Sequence, residues 1–453
     1  MLFRSGDKGM NNPKVSVLMS VYNGEKYLRN AVGSILNQTI TDFEFVIIND
    51  GSTDGSREIL ESYNDDRIVL INQKNTGLTK ALNKGLSLAR GEYVARIDAD
   101  DSANPARLEK QLIFLRNNPK VILLGSNCYK INENGSMLSI TDLPVDEVQI
   151  KWRLLFHDCL YHSTVMFRRK EVDNLGGYNT TIPYAQDYDL WLRIAEKYPV
   201  ANLKEPLVYL RVPGEGAITY EKIDEQTQQA ERIYLNVLHN MDPEITSREN
   251  EVKALRKFIF SNGELRDINR AEKLFIRIYS AFCNSSFTAH INKDKLKAIM
   301  CEPYIKFSWE YFSKGSLDNA DRCVNEVLDS GYQGPFDIPI PDLYKGEEYI
   351  IKVLNEYFFT NRQDTEMMER AKDLFRNQYL YLAWKYYAIG EMRQFRRCLL
   401  EAFRNRPSGK GAVLLLKSLL GKRAIEGLHR LRSVFNERSQ MSRITKNDEN
   451  IVY

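Results

Sequence analysis

No stretch of this 453-residue chain approaches the ~20 consecutive apolar residues that a membrane-spanning helix needs. Residues 1–13 are polar and lack an apolar h-region, so they read as a disordered lead rather than a secretory signal. Cysteine pairs are missing too. The six cysteines (Cys128, Cys159, Cys283, Cys301, Cys323, Cys398) lie far apart with no CxxC spacing. That argues against a structural zinc site and fits small core residues in a reducing cytosol. Charge imbalance is absent: 63 Lys and Arg against 60 Asp and Glu leave +3, too little to argue for a nucleic-acid partner. Neither common phosphate loop occurs. Without GxGxxG after the first strand-like run a dinucleotide-binding dehydrogenase is disfavoured, and without GxxxxGK[ST] so is a P-loop NTPase.

What the chain does have is an ordinary globular composition, 43% hydrophobic and 27% charged, and length enough for two or three domains. Its N-terminal half alternates between strand and helix patterns. An apolar run over 15–20 ends in the turn Val21-Tyr22-Asn23-Gly24, and Tyr27, Leu28, Val32, Ile35 and Leu36 then mark the buried stripe of a helix. A second strand over 43–48 ends in Asn49-Asp50-Gly51-Ser52-Thr53-Asp54, with Asp54 placed to cap the next helix. A third strand covers 67–71, a helix 76–89, and a strand over 93–97 stops at Asp98-Ala99-Asp100-Asp101. This alternation predicts an α/β fold with a doubly wound, mainly parallel sheet. Its crossovers bring the tips carrying Tyr22-Asn23, Asp50 and Asp98 to one rim, where ligand crevices open.

Two like charges at a strand end are costly unless a cation or hydrogen-bond donors meet them. Asp98 and Asp100 share one side of an extended segment, and hard oxygens suit Mg²⁺ or Mn²⁺ held jointly with a diphosphate. An acidic tripeptide alone is more often a solvated loop. Asp101 is expected to cap the helix that starts near Pro105. Further on, Asp187 and Asp189 precede Leu190, Trp191 and Ile194 at helical spacing, so their plainer role is as acids favoured at a helix N-terminus.

Five stretches in order carry a resemblance: Val17-Leu-Met-Ser-Val-Tyr-Asn-Gly, Ile48-Asn-Asp-Gly-Ser-Thr-Asp, Asn75-Thr-Gly-Leu-Thr-Lys-Ala-Leu-Asn-Lys-Gly, Ile97-Asp-Ala-Asp-Asp and Ala185-Gln-Asp-Tyr-Asp-Leu-Trp-Leu-Arg. Together they resemble the family-2 inverting glycosyltransferases of GT-A fold, of the bacterial non-processive type, over 14–220. The resemblance implies transfer of a sugar from a nucleotide-diphospho-sugar, UDP-linked, to a hydroxyl of a glycan or lipid-linked acceptor in cell-surface polysaccharide or glycoconjugate synthesis. It implies Mn²⁺ or Mg²⁺ at Asp100 and Asp98, with Asp98 turned mainly to the ribose and donor sugar. Asp187 would be the base, with Gln186 where the family usually has glutamate. Asp50 would accept the uracil N3–H and Tyr22 would pack on the ring. Ser20, Asn23 and Lys80 would add donor contacts, and His162 and Arg211 would serve the acceptor or diphosphate. Plainer roles stand beside these: a loop-capping Asp50, a core-lining Tyr22, a structural His162. Many relatives have a histidine two residues after the arginine matched by Arg211; here it is Pro213.

Two other functions share some of these features. A sugar nucleotidyltransferase has the wound sheet and metal aspartates, but needs a glycine-rich basic loop that 20–27 lacks. A non-catalytic scaffold would work through the second half of the chain. That half, 221–438, has a helical pattern. Gly315 and Leu317 followed by Ala320, Val324 and Val327, and Gly390 and Met392 followed by Phe395, Leu399, Ala402 and Pro407, have the spacing of tetratricopeptide-like hairpins or of a plain helical bundle. Residues 334–342, with Pro335, Pro339 and Pro341, interrupt any array. The stretch 408–446 carries nine Lys or Arg against two acids. It reads either as a final docked helix with a basic face or as a peripheral contact with the inner membrane face. Residues 439–453 read as a disordered tail.

Overall fold

The computed structural model describes residues 12–212, 222–260, 263–330, 343–360 and 365–405. Pro213, the 334–342 interruption, Pro407, the basic 408–446 stretch, the tail and most of the lead lie outside them. Strands β1 (Val15–Val21), β2 (Phe43–Asp50) and β4 (Tyr93–Arg96) are buried at every position. Covered on both faces, they read as continuous apolar runs without alternation. β1 runs parallel to both neighbours, with Val15 opposite Phe43 on one side and Tyr93 on the other. β3 (Ile68–Gln73) extends β2, also parallel. Helices α1 (Glu25–Leu36), α2 (Ser56–Glu61) and α3 (Leu78–Leu88) make the crossovers. The tips of β1, β2 and β4 therefore meet on one rim, with β1 in the middle.

Beyond β4 the sheet becomes mixed. It adds β5 (Ser102–Ala103), β6 (Leu123–Ile131), β7 (Met137–Ile140), β8 (Met166–Arg168) and β9 (Val200–Arg211) in the order β3-β2-β1-β4-β8-β6-β9-β5, with β7 paired to β6. β8 is antiparallel to both β4 and β6, and β6 and β9 pair in parallel. Helices α4 (Arg107–Asn117), α5 (Glu147–Leu154), α6 (Arg169–Asn174) and α7 (Gln186–Lys197) connect these strands.

The chain folds as two compact units, Met1–Ile299 and Met300–Tyr453. The first includes α8 (Ile223–Met241), α9 (Pro243–Thr246), α10 (Glu249–Phe260), α11 (Ile268–Cys283) and α12 (Lys293–Leu296). Trp152 on α5 ties this helical layer to the rest of its unit. Phe156, Phe275, Tyr279 and Phe282 surround it at ring-centroid distances of 5.2 to 6.5 Å, all edge-on. Each such pair contributes about 0.5–1.5 kcal/mol beyond the area it buries.

The second unit holds α13 (Cys301–Ser313), α14 (Leu317–Asp329), α15 (Leu343–Thr360), α16 (Thr365–Ala388) and α17 (Met392–Asn405). The α13–α14 and α16–α17 turns are built alike. Gly315 and Gly390 adopt φ of 74° and 82°, and the residue after each donates its N–H back to Tyr311 or Tyr386, which closes a Schellman turn. Trp309, Tyr311, Gly315 and Cys323 recur 75 residues later as Trp384, Tyr386, Gly390 and Cys398. The expected hairpins are thus one unit used twice. All six cysteines are free, and each except Cys283 is buried.

Candidate active site

A charged residue in a fully buried strand is the local anomaly from which the site is built. Arg96 in β4 is wholly buried and its guanidinium donates to the Ile97 carbonyl and, at 2.5 Å, to Asp98 Oδ1. The other Asp98 oxygen accepts the Ser163 hydroxyl at 2.8 Å, while the Asp98 N–H donates back to Ser163 Oγ at 2.9 Å. Burial opposes the Asp98 charge, but Arg96 and Ser163 outweigh it and hold the carboxyl below its ordinary range. Asp100 differs. No side chain among the described residues donates to its carboxylate, which is exposed on its outer side. The protein walls around it, and then the Asp98 charge, push it up to about 6.

Asp101 does not cap a helix, contrary to the sequence expectation. It is buried and accepts the Arg211 N–H of β9 at 2.8 Å, while the N-cap position of α4 is Ala106, with no side-chain cap. Arg211 clasps the same turn. Its guanidinium donates to the carbonyls of Asp100, Asn132 and Glu133 and lies 3.9 Å from the Tyr27 ring centroid. Arg211 thus holds the acidic loop from below.

The loops after β1 and β2 are stitched together. Asn23, the one non-glycine residue at positive φ (53°) among the described residues, accepts the Thr53 N–H and hydroxyl on its side-chain oxygen. Asp54 is not the N-cap of α2, which is Gly55. Its two oxygens instead accept the N–H groups of Ser56 and Glu25, each at 3.0 Å, so it joins the starts of two helices. Asp50 is buried and accepts four hydrogen bonds, from Gln73 Nε2, the Thr76 N–H and hydroxyl, and the Gly77 N–H. Ser20 is buried in β1, Tyr22 is 42% exposed on the rim, and Lys80 is exposed on α3. A Cβ on Gly24 would stand 3.4 Å from that of Ala99, which sets the β1 loop against the acidic turn.

On the opposite side, Asp187 opens α7. Its Oδ1 accepts the Tyr188 N–H at 2.9 Å. Burial, and beyond it the Asp98 charge, raise it to about 6 against that hydrogen bond. Asp189 is committed elsewhere, to Arg193 at 2.8 Å, and Arg193 also donates to the Leu175 and Gly177 carbonyls in the turn after α6, where Gly176 and Gly177 have positive φ. His162 is buried, with Nε2 2.9 Å from the Tyr178 hydroxyl and its ring edge-on to Tyr178 and Trp191. Burial and the Arg96 charge push it down to about 3, so it is neutral at working pH.

Four residues of this site were not picked out from the sequence: Arg96, Ser163, Tyr178 and Asp158. Arg96 left a signal, a cation in the middle of an apolar strand, which demands a buried partner. Asp158 left none. It follows α5, accepts the Leu160 N–H at 2.8 Å, and is raised well above its ordinary value by burial and then by Asp187.

The described residues contain no group of three or more His, Cys, Asp and Glu placed to hold a metal. What they offer is Asp100, an acceptor short of a cation, with Asp98 behind it. Such a set of hard oxygens fits Mg²⁺ or Mn²⁺ when a diphosphate supplies most of the other ligands.

Known proteins resemble the chain chiefly in its first half. The family described as Glycosyl transferase family 2 matches residues 16–175. An uncharacterized glycosyltransferase of Methanocaldococcus jannaschii is 38% identical over 214 residues, 45% of this chain and 73% of its own length. The O-antigen biosynthesis glycosyltransferase WbnJ of Escherichia coli is 35% identical over 208 residues, 44% of this chain and 79% of its own. Among solved structures, TarS 1-349 of S. aureus aligns over 72% of this chain and 94% of its own with 21% identity and a TM-score of 0.43.

Proposed function

The chain belongs to glycosyltransferase family 2, and from that premise we propose an inverting, metal-assisted transfer of a hexose from a UDP-linked sugar to a hydroxyl of a glycan or lipid-linked acceptor. The observation that carries this reading is the difference among three carboxylates near one rim. Asp98 is held charged by Arg96 and Ser163, Asp100 is open and lacks a partner, and Asp187 is raised toward neutrality. In the proposed reaction the Asp187 carboxylate takes the proton of the acceptor hydroxyl. The freed oxygen attacks the anomeric carbon from the face opposite the diphosphate. The bond from that carbon to the diphosphate oxygen breaks, and the nucleoside diphosphate leaves with its electrons. Asp189 is unsuited to this work because Arg193 neutralises it.

Asp100, with Asp98 behind it, would hold Mn²⁺ or Mg²⁺, whose charge would stabilise the departing diphosphate. Asp98 faces the ribose and donor sugar in this reading. Tyr22, Asn23, Ser20 and Asp50 would form the nucleobase side, with Asp50 fixed by Gln73, Thr76 and Gly77 before any base arrives. Lys80 lies toward the phosphates. His162 and Arg211 act through other residues, His162 by fixing Tyr178 and Arg211 by clasping the acidic turn. The O-antigen relative supports a role in cell-surface polysaccharide synthesis. No helix among the described residues is long and apolar enough to cross a membrane. In this reading a lipid-linked acceptor would be met peripherally at the inner membrane face, through the basic 408–446 stretch.

Isothermal titration of UDP with and without Mn²⁺, on the wild type and Asp100→Ala, tests the reading. Binding that requires Mn²⁺ and is lost in Asp100→Ala supports it. UDP binding in neither condition overturns the UDP assignment, and failure of GDP and dTDP as well would put the scaffold reading first.

A further inference from the structure

On the face of α7 turned away from Asp187, the first unit contains a half-open cavity of about 740 Å³, within the ~300–1,000 Å³ usual for small-molecule sites. Its walls are α7, α8, the loop over 179–182 and the end of α11 with the turn that follows. The α8 wall is regular. Arg232, Asn236 and Asn240 line the cavity four residues apart, so they form one row about 12 Å long at 1.5 Å rise per residue. None of the three side chains has a hydrogen-bond partner among the described residues. Gln229, one turn earlier, accepts the Tyr184 N–H on its oxygen at 3.1 Å, three residues before Asp187. That bond ties one end of the row to the segment carrying the base. Opposite the row, Glu196 accepts the Ser286 hydroxyl at 2.9 Å, and Ile182, Ile233 and Phe287 supply apolar surface.

We propose that this groove binds a carbohydrate chain, the part of the acceptor or product glycan that extends away from the reacting hydroxyl. The proposal rests on the glycosyltransferase reading above. Sugar hydroxyls are at once donors and acceptors, and side-chain amides match them on both counts. The C–H faces of the rings suit the three apolar side chains. A nucleic acid would call for a basic track with stacked aromatics, whereas this groove has Arg232 and Arg193, the latter already paired with Asp189. An extended peptide would call for an open strand edge, and the walls are helices and loops. An acyl chain would meet a row of unpaired amides that it cannot satisfy.

The test applies the full chain, fluorescently labelled, to a printed array of bacterial O-antigen and capsular polysaccharide fragments. It compares the wild type with an Asn236→Leu, Asn240→Leu double variant and, separately, with Arg232→Ala. These positions are exposed, and an unchanged Tm checks that each variant folds. Retention of at least one glycan by the wild type, weakened tenfold or more by the double variant, is the expected result. No retained glycan, or retention that neither variant alters, overturns the proposal. A UDP titration on the same wild-type sample separates the two readings. UDP binding with an empty array removes the groove alone; no binding of any nucleotide removes the donor reading whatever the array shows.

Discussion

In the first unit, the loops at the tips of β1, β2 and β3, the nucleobase side of the proposed reaction, and the side that carries Asp187, its proposed acceptor side, treat their polar groups in opposite ways. Around the tips of β1, β2 and β3 polar groups satisfy one another: Asn23 with Thr53, Asp54 with Ser56 and Glu25, Asp50 with Gln73, Thr76 and Gly77. On the proposed acceptor side, Gln186 Oε1 and Trp191 Nε1 are buried without a partner among the described residues, burial and then Asp187 raise the Asp158 pKa, and Arg232, Asn236 and Asn240 on α8 face a cavity. A rim assembled before its ligand arrives binds without the cost of ordering its loops. Groups left unmatched await a ligand to complete them.

The comparison is broken most sharply at Asp187. Asp187→Asn keeps the shape of α7 and removes the base, so transfer is expected to fall about 10²–10⁴-fold while UDP affinity stays within a factor of two or so. Turnover with a donor and the identified acceptor, set beside UDP titration, reads both at once. A parallel loss of UDP binding would mean that the two sides are not separate. Next in size is Arg96→Met, on the donor side. It leaves Asp98 without its cation and the Ile97 carbonyl without a donor. Urea unfolding should show a loss of about 2–4 kcal/mol, somewhat below the usual cost of breaking a buried pair because Asp98 keeps some water. A variant as stable as the wild type would make the Arg96–Asp98 pair dispensable.

The same contrast explains what could be read in advance. The rim was legible because each of its acids ends an apolar run, and a run that stops at Asp50 or Asp98 needs no partner sequence to be noticed. The sheet was legible as far as β4. Beyond it, β8 enters antiparallel beside β4 through only three residues, Met166–Arg168, too short for any periodicity to announce. Asp101 was misassigned and half of the role of Asp54, which does serve the start of α2 through the Ser56 N–H, was missed, for one reason. Helix caps are inferred from the nearest downstream helix, and both acids bond to backbone brought in by topology, Glu25 to the first and Arg211 to the second. The α8 row was invisible, since asparagines four apart on a helix read as a solvated face until α7 and α11 stand opposite them.

A third effect is set by pH. With Asp187 at about 6, its carboxylate is the working form above that value and is lost as pH falls through it. The rate should therefore drop about tenfold per unit below pH 6, while the same raised pKa makes the fold more stable, not less, as pH falls from 7 to 5. A limb near 4 would place the base elsewhere, or in a less buried setting than the geometry gives it.

The smallest effect bears on preorganisation itself. Asp54 serves two helix starts with one carboxylate, so Asp54→Ala removes the acceptor of the Glu25 and Ser56 N–H groups together. Loss of a helix cap costs about 0.5–2 kcal/mol, and both amides reach water once freed, which favours the low end, about 1 kcal/mol. Burial works against the Asp54 charge, but the Ser56 and Glu25 donors prevail and its pKa is lowered. The stabilisation is thus fully present above the unfolded value near 3.9 and fades as pH falls through the lower folded value. Wild type and variant should differ at pH 7 and converge in acid. The variant's UDP affinity is the sharper reading. If the rim is rigid because its loops bind each other, the β1 and β2 loops must loosen and UDP must bind several-fold more weakly. If affinity is unchanged, the stitching serves the fold alone, and the contrast with the acceptor side is one of stability rather than of readiness for a ligand.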